Sequence, residues 1–263
     1  MGNLNSNGMK NLLIYISPTG SFDNPLPDMD SKEAGILVKV QIDNSLELGW
    51  KKQDIMLFTN FNHKYRGIKA HVLKDVEFFS PKPQASKINA ILKLFEKGMI
   101  KNGQLYWFHD FDAFQMQSIT ESELELDGVD MALTDYGRLD RWSTGSIFFR
   151  IGARDIFYKI KEMVYKDNVD EERALTFLTK NDEDIRKRIK KLNKTYNFTS
   201  HNLRTMYKLV IKPIRVTHFH PLGKISQISV ERPFNFFIGE NKLGIPLITE
   251  KLIKIFNKHG ITG

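Results

Sequence analysis

The 263-residue sequence has no cysteine. Disulfides, thiolate metal sites and thiol nucleophiles are therefore excluded. The absence fits a reducing compartment, so a cytoplasmic protein is expected. No stretch approaches the roughly 18 consecutive apolar residues that a membrane-spanning helix needs. The opening "MGNLNSNGMK" has no apolar core behind a basic start, so no secretion signal is expected there. Met1, Gly2 and Ser6 match a short myristoylation pattern, but one such acyl chain binds membranes only marginally. Internal repeats and low-complexity linkers are also missing.

Positive charge is plentiful. Thirty-nine Lys and Arg stand against 31 Asp and Glu, a net charge of +8, with a pI near 9.4. Such a balance favours polyanionic partners. The hydrophobic fraction of 41% and charged fraction of 27% are those of a soluble globular protein, and the length allows one large or two small domains. Around "RKRIKKLNK" (186–194), Ile185 just before it and Ile189 and Leu192 within it are spaced to predict an amphipathic helix with a basic outer face. That face serves equally as a solvated surface or as a phosphate-tracking patch.

Hydrophobic patterning predicts alternating strands and helices. "NLLIYIS" (11–17) reads as a buried strand opening into the polar loop "SPTGSFDNPLP". Asp30 and Glu33 resemble a capping box before "AGILVKVQIDNSLELGW", taken as helix. "DIMLFTN" (54–60) and "IKAHVL" (68–73) read as strands. Ile88, Ile91, Leu92 and Phe95 mark a helix stopped by Gly98. "GQLYWFHDFD" follows as a strand, then the strand candidates "DMALT" and "STGSIFFR". Helices are expected through Ile156, Ile160 and Val164, over 170–177 and over 184–192. "KPIRVTHFHP" returns to strand, and "ITEKLIKIFNKHG" closes as a helix. This alternation predicts an α/β fold with a mostly parallel sheet. In such sheets ligands bind beyond the carboxyl ends of the strands.

Asp110 and Asp112 stand at one such end. As residues i and i+2 they address one side, and two like charges so close favour an intervening cation. Hard oxygen ligands suit Mn²⁺ or Mg²⁺, which commonly also hold substrate phosphates. His218 and His220 repeat the same spacing at a late strand end, with Lys224 close behind as a phosphate-binding charge. Asp170, Glu171 and Glu172 open a helix, where they serve the helix dipole or act as a general base towards a hydroxyl. Trp142, Ser143, Thr144 and Gly145 precede a strand; Gly145 permits close backbone approach, and the hydroxyls can bond a polar ligand. Lys87 is a further phosphate candidate, although its place reads more readily as a solvated surface charge.

Taken together, these pieces resemble the GT-A glycosyltransferases, which use nucleotide-diphosphate sugars. The resemblance runs over about residues 10–225. It rests on "YISPTGSFD", the D-x-D of "DFD", "STGSIFFR" in place of an N-x-G strand, the acidic "DE" helix start and "VTHFHPLGK". It implies a Rossmann-type, mostly parallel GT-A-like sheet over 1–225, with a helical extension over 226–263 packed on the same domain. It also implies Asp110, Asp112 and either His218 or His220 around Mn²⁺ or Mg²⁺. Lys224 would lie on the diphosphate, and Ser17, Thr19 and Gly20 on the nucleotide. Lys87 and the residues 142–145 would contact the donor, Asp110 reaching ribose or sugar, with Glu171 or Glu172 towards the acceptor. Ser143 or Thr144 replaces the usual Asn, and no K-P-W follows the histidines, so inversion and retention both stand.

The expected reaction moves a sugar, hexose or pentose, from a nucleotide-diphosphate donor to an unidentified acceptor hydroxyl. A haloacid-dehalogenase phosphatase is disfavoured, because Phe114 occupies the place of its Thr or Val. A nucleotidyltransferase is disfavoured because "SPTGSFDNPLP" has no Arg or Lys. The alternative outside enzymes is a basic nucleic-acid-binding protein. The two ideas combine in a glycosyltransferase whose acceptor is polyanionic, such as modified nucleic acid.

Overall fold

The computed structural model describes residues 8–22, 33–137, 140–199, 207–219, 231–239, 241 and 243–262. From the N-terminus these form β1 (Met9–Tyr15), α1 (Glu33–Glu47), β2 (Ile55–Thr59), β3 (Lys64–Tyr65), β4 (Ile68–Lys69), β5 (His71–Val72) and α2 (Ser86–Glu96). Next come β6 (Leu105–His109), β7 (Ala113–Gln115), α3 (Glu121–Leu124), β8 (Met131–Asp135), β9 (Trp142–Phe149), α4 (Arg154–Asp167) and α5 (Glu171–Asn181). The chain continues through α6 (Glu183–Lys187), β10 (Ile189–Lys191), β11 (Phe198–Thr199), β12 (Val216–His218), α7 (Glu231–Ile238) and α8 (Glu250–Lys258).

Seven strands build the central sheet in the order β10-β8-β9-β6-β1-β2-β5. Every neighbouring pair is parallel except the two made by β9. The strands are apolar on both faces because both are covered. Leu12 and Ile14 of β1 and Phe108 of β6 pack with α2, α4 and α5. Leu13 of β1 and Leu57 of β2 turn to α1, and Trp107 of β6 packs beside Ala113 of β7 and Val216 of β12. A second sheet, β11-β12-β7, thus covers part of the face that α1 leaves open. Among the described residues no helix is long and apolar enough to cross a membrane.

Two expectations need correcting. The basic run 186–194 is not one helix. Its helical turn ends at Lys187, and Ile189–Lys191 joins the sheet as an edge strand parallel to β8. The cause is Arg188, whose guanidinium is held by Asp130, Asp155 and the Gly152 carbonyl at 2.6–2.8 Å. The expected strand 68–73 is divided: β4 pairs with β3, and only β5 reaches the central sheet.

The C-terminal helices pack into a cluster that includes Val40 of α1, Phe114 of β7, Phe219, Phe237 and Phe256. Asp43 of α1 fastens α8 at its far end. Its buried carboxylate accepts from Lys258 (2.6 Å), His259 (3.0 Å), Arg66 (3.0 Å) and Tyr65 (3.1 Å). Burial alone would raise the Asp43 pKa, but bonds from Lys258, His259 and Tyr65 outweigh it and hold the carboxyl below its ordinary range. A depressed folded-state pKa contributes stability above the unfolded value and loses it as pH falls. Asp43→Ala should therefore cost about 2 kcal/mol at neutral pH, about 4–8 °C in Tm. The gap from wild type should close below about pH 4. Melting curves at both pH values check this, and a gap that persists in acid would refute it.

Candidate active site

The site lies where the carboxyl ends of β6 and β8 meet β12 and the start of α5. β6 ends at His109, so Asp110 and Asp112 occupy the tight turn between β6 and β7 rather than the strand itself. The Asp110 N–H donates to the Gly145 carbonyl of β9 (3.0 Å), and the Phe219 N–H donates to the Asp112 carbonyl (2.7 Å). The turn is thereby held from two sheets at once. His109 points elsewhere: it stacks on Trp107 and lies 3.0 Å from Asn11 Oδ1. Burial lowers its pKa to about 4, which keeps it neutral.

β12 places His218 opposite this turn, with Nε2 3.2 Å from Asp112 Oδ1. Asn197 orients the ring. Its amide donates to Ser143 Oγ (2.8 Å), which turns Oδ1 towards His218 Nδ1 at 3.1 Å. Nδ1 therefore donates to Asn197, which leaves Nε2 facing the carboxylates. Burial works against charge on this ring, but Asp112 and Asp110 outweigh it and raise the pKa. One ligand atom from each of Asp110, Asp112 and His218 lies within 4.8 Å of the others. Two carboxylates and an imidazole suit a divalent first-row ion or Mg²⁺.

Gly145 makes this approach possible. A Cβ there would lie 2.6 Å from His218 Nδ1 and closer still to Cε1. The close approach expected at Gly145 is thus made by the imidazole. Gly145→Ala should displace the ring and weaken divalent-ion affinity by about 10- to 100-fold. Titration calorimetry with Mn²⁺ checks this; wild-type affinity in the variant would contradict it.

Lys87 is a correction to the expectation of a solvated charge. It is buried at the start of α2, with Nζ 3.1 Å from Asp110 Oδ1 and 3.1 Å from Glu171 Oε1. Burial disfavours its charge, but Asp110, Glu171 and Glu172 outweigh burial and raise its pKa. Asp110 is pushed up by burial, with Lys87 opposing and Asp112 adding to the push.

The helix start supplies three carboxylates with different bonding. Asp170 caps α5 by accepting from the Arg173 N–H (2.8 Å) and holds Arg141 (2.8 Å). Both oxygens of Glu172 are occupied, Oε1 by Tyr136 OH (2.9 Å) and the Thr144 N–H (3.1 Å), Oε2 by Arg141 (2.9 Å). Burial raises the Glu172 pKa. Glu171 Oε1 accepts from Thr144 Oγ1 (3.0 Å) beside Lys87, while buried Oε2 has no hydrogen-bond partner among the described residues.

These groups line a cavity of about 270 Å³. It gathers Lys87, Asp110, Asp112, Thr144, Asp170, Glu171, Glu172 and His218 from the expected set. Trp142 is apart: it packs on α5 through its indole bond to Thr179 (2.8 Å) and lines a neighbouring pocket. Ser143 acts through Asn197. Ser17, Thr19 and Gly20 lie in the loop after β1, outside this cavity; the Ser17 hydroxyl accepts from the N–H groups of Thr19 (3.0 Å) and Ser21 (3.3 Å). His220 and Lys224 fall outside the described residues. Gln84, Tyr136, Arg141 and Asn197 also belong to the site and stand outside the motifs of the sequence. Tyr136 directly follows β8, whose carboxyl end lies on the same sheet edge as that of β6, so the strand-end rule was a usable signal for it. Asn197 has no local signal.

Five carboxylates face Lys87 and Arg141 across the cavity. Such a site repels a diphosphate unless a cation joins it, so charge and ligand geometry both fit a divalent ion.

No protein-family model matches the sequence, and no curated protein matches it. Solved structures do match the fold. The galactosyltransferase LgtC, in complex with donor and acceptor sugar analogues, gives a TM-score of 0.53 at 13% identity, over 94% of this chain and 100% of that one. A glycosyltransferase involved in the glycosylation of the major capsid of PBCV-1 gives 0.53 at 10% identity, over 86% and 96%. The glycosyltransferase GlyE of Streptococcus pneumoniae TIGR4 gives 0.54 at 11% identity, over 97% of this chain but 61% of its own. This chain thus spans about three-fifths of GlyE's length. The chain has the GT-A glycosyltransferase fold, and Asp110-x-Asp112 stands in it as a D-x-D motif.

Proposed function

We propose that the chain is a metal-dependent glycosyltransferase that moves a sugar from a nucleotide-diphosphate donor to an acceptor hydroxyl. The observation that carries this reading is the convergence of Asp110, Asp112 and His218 at the carboxyl edge of a GT-A sheet. Asp110, Asp112 and His218 would hold Mn²⁺ or Mg²⁺, which when bound neutralises charge on the departing nucleoside diphosphate. Asn197 keeps His218 Nε2 aimed at that position. Lys87, fixed between Asp110 and Glu171, supplies positive charge to the donor and sets the carboxylates' orientation. Glu171 is the carboxylate of the helix start with an oxygen unpartnered among the described residues, on the wall that an acceptor would approach; Glu172 and Asp170 hold Arg141 and Tyr136 beside it. The loop with Ser17, Thr19 and Gly20 would meet the nucleotide.

A thermal-shift screen of nucleoside diphosphates and nucleotide sugars, with and without Mn²⁺, tests the reading. A ligand present at about a hundred times its Kd stabilises by about 2.7 kcal/mol. One nucleotide should raise Tm only when the ion is present. No response to any nucleotide with Mn²⁺ would argue against it.

A further inference from the structure

Positive charge is distributed unevenly along this chain. Residues 185–230 hold eleven Lys and Arg and no Asp or Glu. The remaining 28 Lys and Arg face all 31 acidic residues, so the rest of the chain is slightly acidic. The folded structure spends much of this excess internally. Asp130, Asp155, Asp135, Glu125 and Glu183 pair with the cations of 186–194, and Glu123 pairs with Arg215. Among the described residues, Lys208 and Lys212 form no ion pair, and both are exposed.

Those two lysines flank the two most exposed large hydrophobic side chains described, Leu209 at 70% and Ile211 at 63%. The arrangement is built rather than frayed. Val210, between them, is buried in the cluster that holds Phe198 and Phe219. The Ile211 N–H donates to Asn193 Oδ1 (3.2 Å), and the Lys212 ammonium sits 3.3 Å from the Tyr207 ring centroid. The backbone is pinned from inside while leucine and isoleucine project outward between two ammonium groups.

We propose that this knuckle, residues 207–213, docks the protein onto the surface of an anionic lipid bilayer. Leu209 and Ile211 would enter the boundary between headgroups and acyl chains, while Lys208 and Lys212 remain at headgroup level against lipid phosphates. Long lysine stems allow that division between apolar contact and charged tip. The negative surface potential of such a membrane attracts basic segments of this kind, and the result is a protein lying on the membrane without a span. Nucleic acid fits less well, since its single strands are held on aromatic faces, whereas the tip offers branched aliphatic side chains.

Vesicle sedimentation tests this on the full chain, with phosphatidylcholine alone and with added phosphatidylglycerol, at low and high salt. Binding is expected only to the phosphatidylglycerol vesicles and should weaken with salt. Leu209→Ser/Ile211→Ser should abolish it with Tm unchanged, because both side chains are already in water. Lys208→Gln/Lys212→Gln should weaken it more than about tenfold. Failure to pellet with anionic vesicles, or pelleting that survives loss of the apolar pair, would overturn the proposal. Preferential binding of single-stranded RNA that displaces vesicles regardless of the apolar pair would also overturn it. Sugar-transfer activity enters neither readout, so this test and that of the proposed reaction fail independently.

Discussion

Asp112→Ala is expected to lower nucleotide-sugar turnover about a thousandfold while the protein remains folded. The carboxylate is about one-third exposed, at 32%, and its described side-chain partner is His218 Nε2. Its loss leaves the bond between His218 and Asn197 in place, so the turn and β12 keep their anchors. What disappears is one of the three proposed ligands and a negative charge in the position where a cation would balance a diphosphate. Excess chelator should reduce wild-type turnover to the same level, and added Mn²⁺ or Mg²⁺ should restore the wild type but not the variant. Turnover of a candidate nucleotide sugar, with Tm as a control, decides the matter. Wild-type rates in the variant, or activity that survives chelation, would defeat the assignment of these residues to a metal.

Lys87→Met has a different expected signature, because it acts on the fold as well as on the site. The substitution keeps much of the side-chain volume but leaves the Glu171 carboxylate, 3% exposed, without its cation. Removing one member of a buried pair costs about 3 kcal/mol or more, or about 6–12 °C in Tm for a chain of this size. Adding Glu171→Gln should recover part of that loss, since it removes the stranded charge. Turnover should fall in both variants, but stability should fall further in the first. Equal melting temperatures for Lys87→Met and wild type would show that the buried pair contributes little.

The central architecture was legible where local pattern and tertiary environment agree. The apolar strands β1, β2 and β6, the periodic helix α2 and the acidic start of α5 each carry their own signal within a few residues. The strand-end rule points to Asp110, Asp112 and His218 from spacing alone. It failed in detail because the aspartates sit one step past the strand, in a turn whose shape depends on β9. The burial of Lys87 is not legible, because helix periodicity reports which face is apolar, not which carboxylates two other elements bring to its N-terminal turn. The basic run was misread because nothing local announces that Asp130 and Asp155 capture Arg188 and end the helix. Arg141 and Asn197 matter only through partners distant in sequence, beyond the reach of spacing arguments.

Asp112 and His218 are separated by about a hundred residues, yet they meet at 3.2 Å at the edge of the small sheet, where β12 lies beside β7. Their meeting rests on the antiparallel pairing of β7 with β12, in which Ala113 stands opposite His218. A ligand that prefers the joined arrangement stabilises the intervening chain as well as the site, by linkage between binding and folding. Donor-side ligands should accordingly slow proteolysis throughout 113–218, not just at the turn. Loosening of the small sheet would in turn release them.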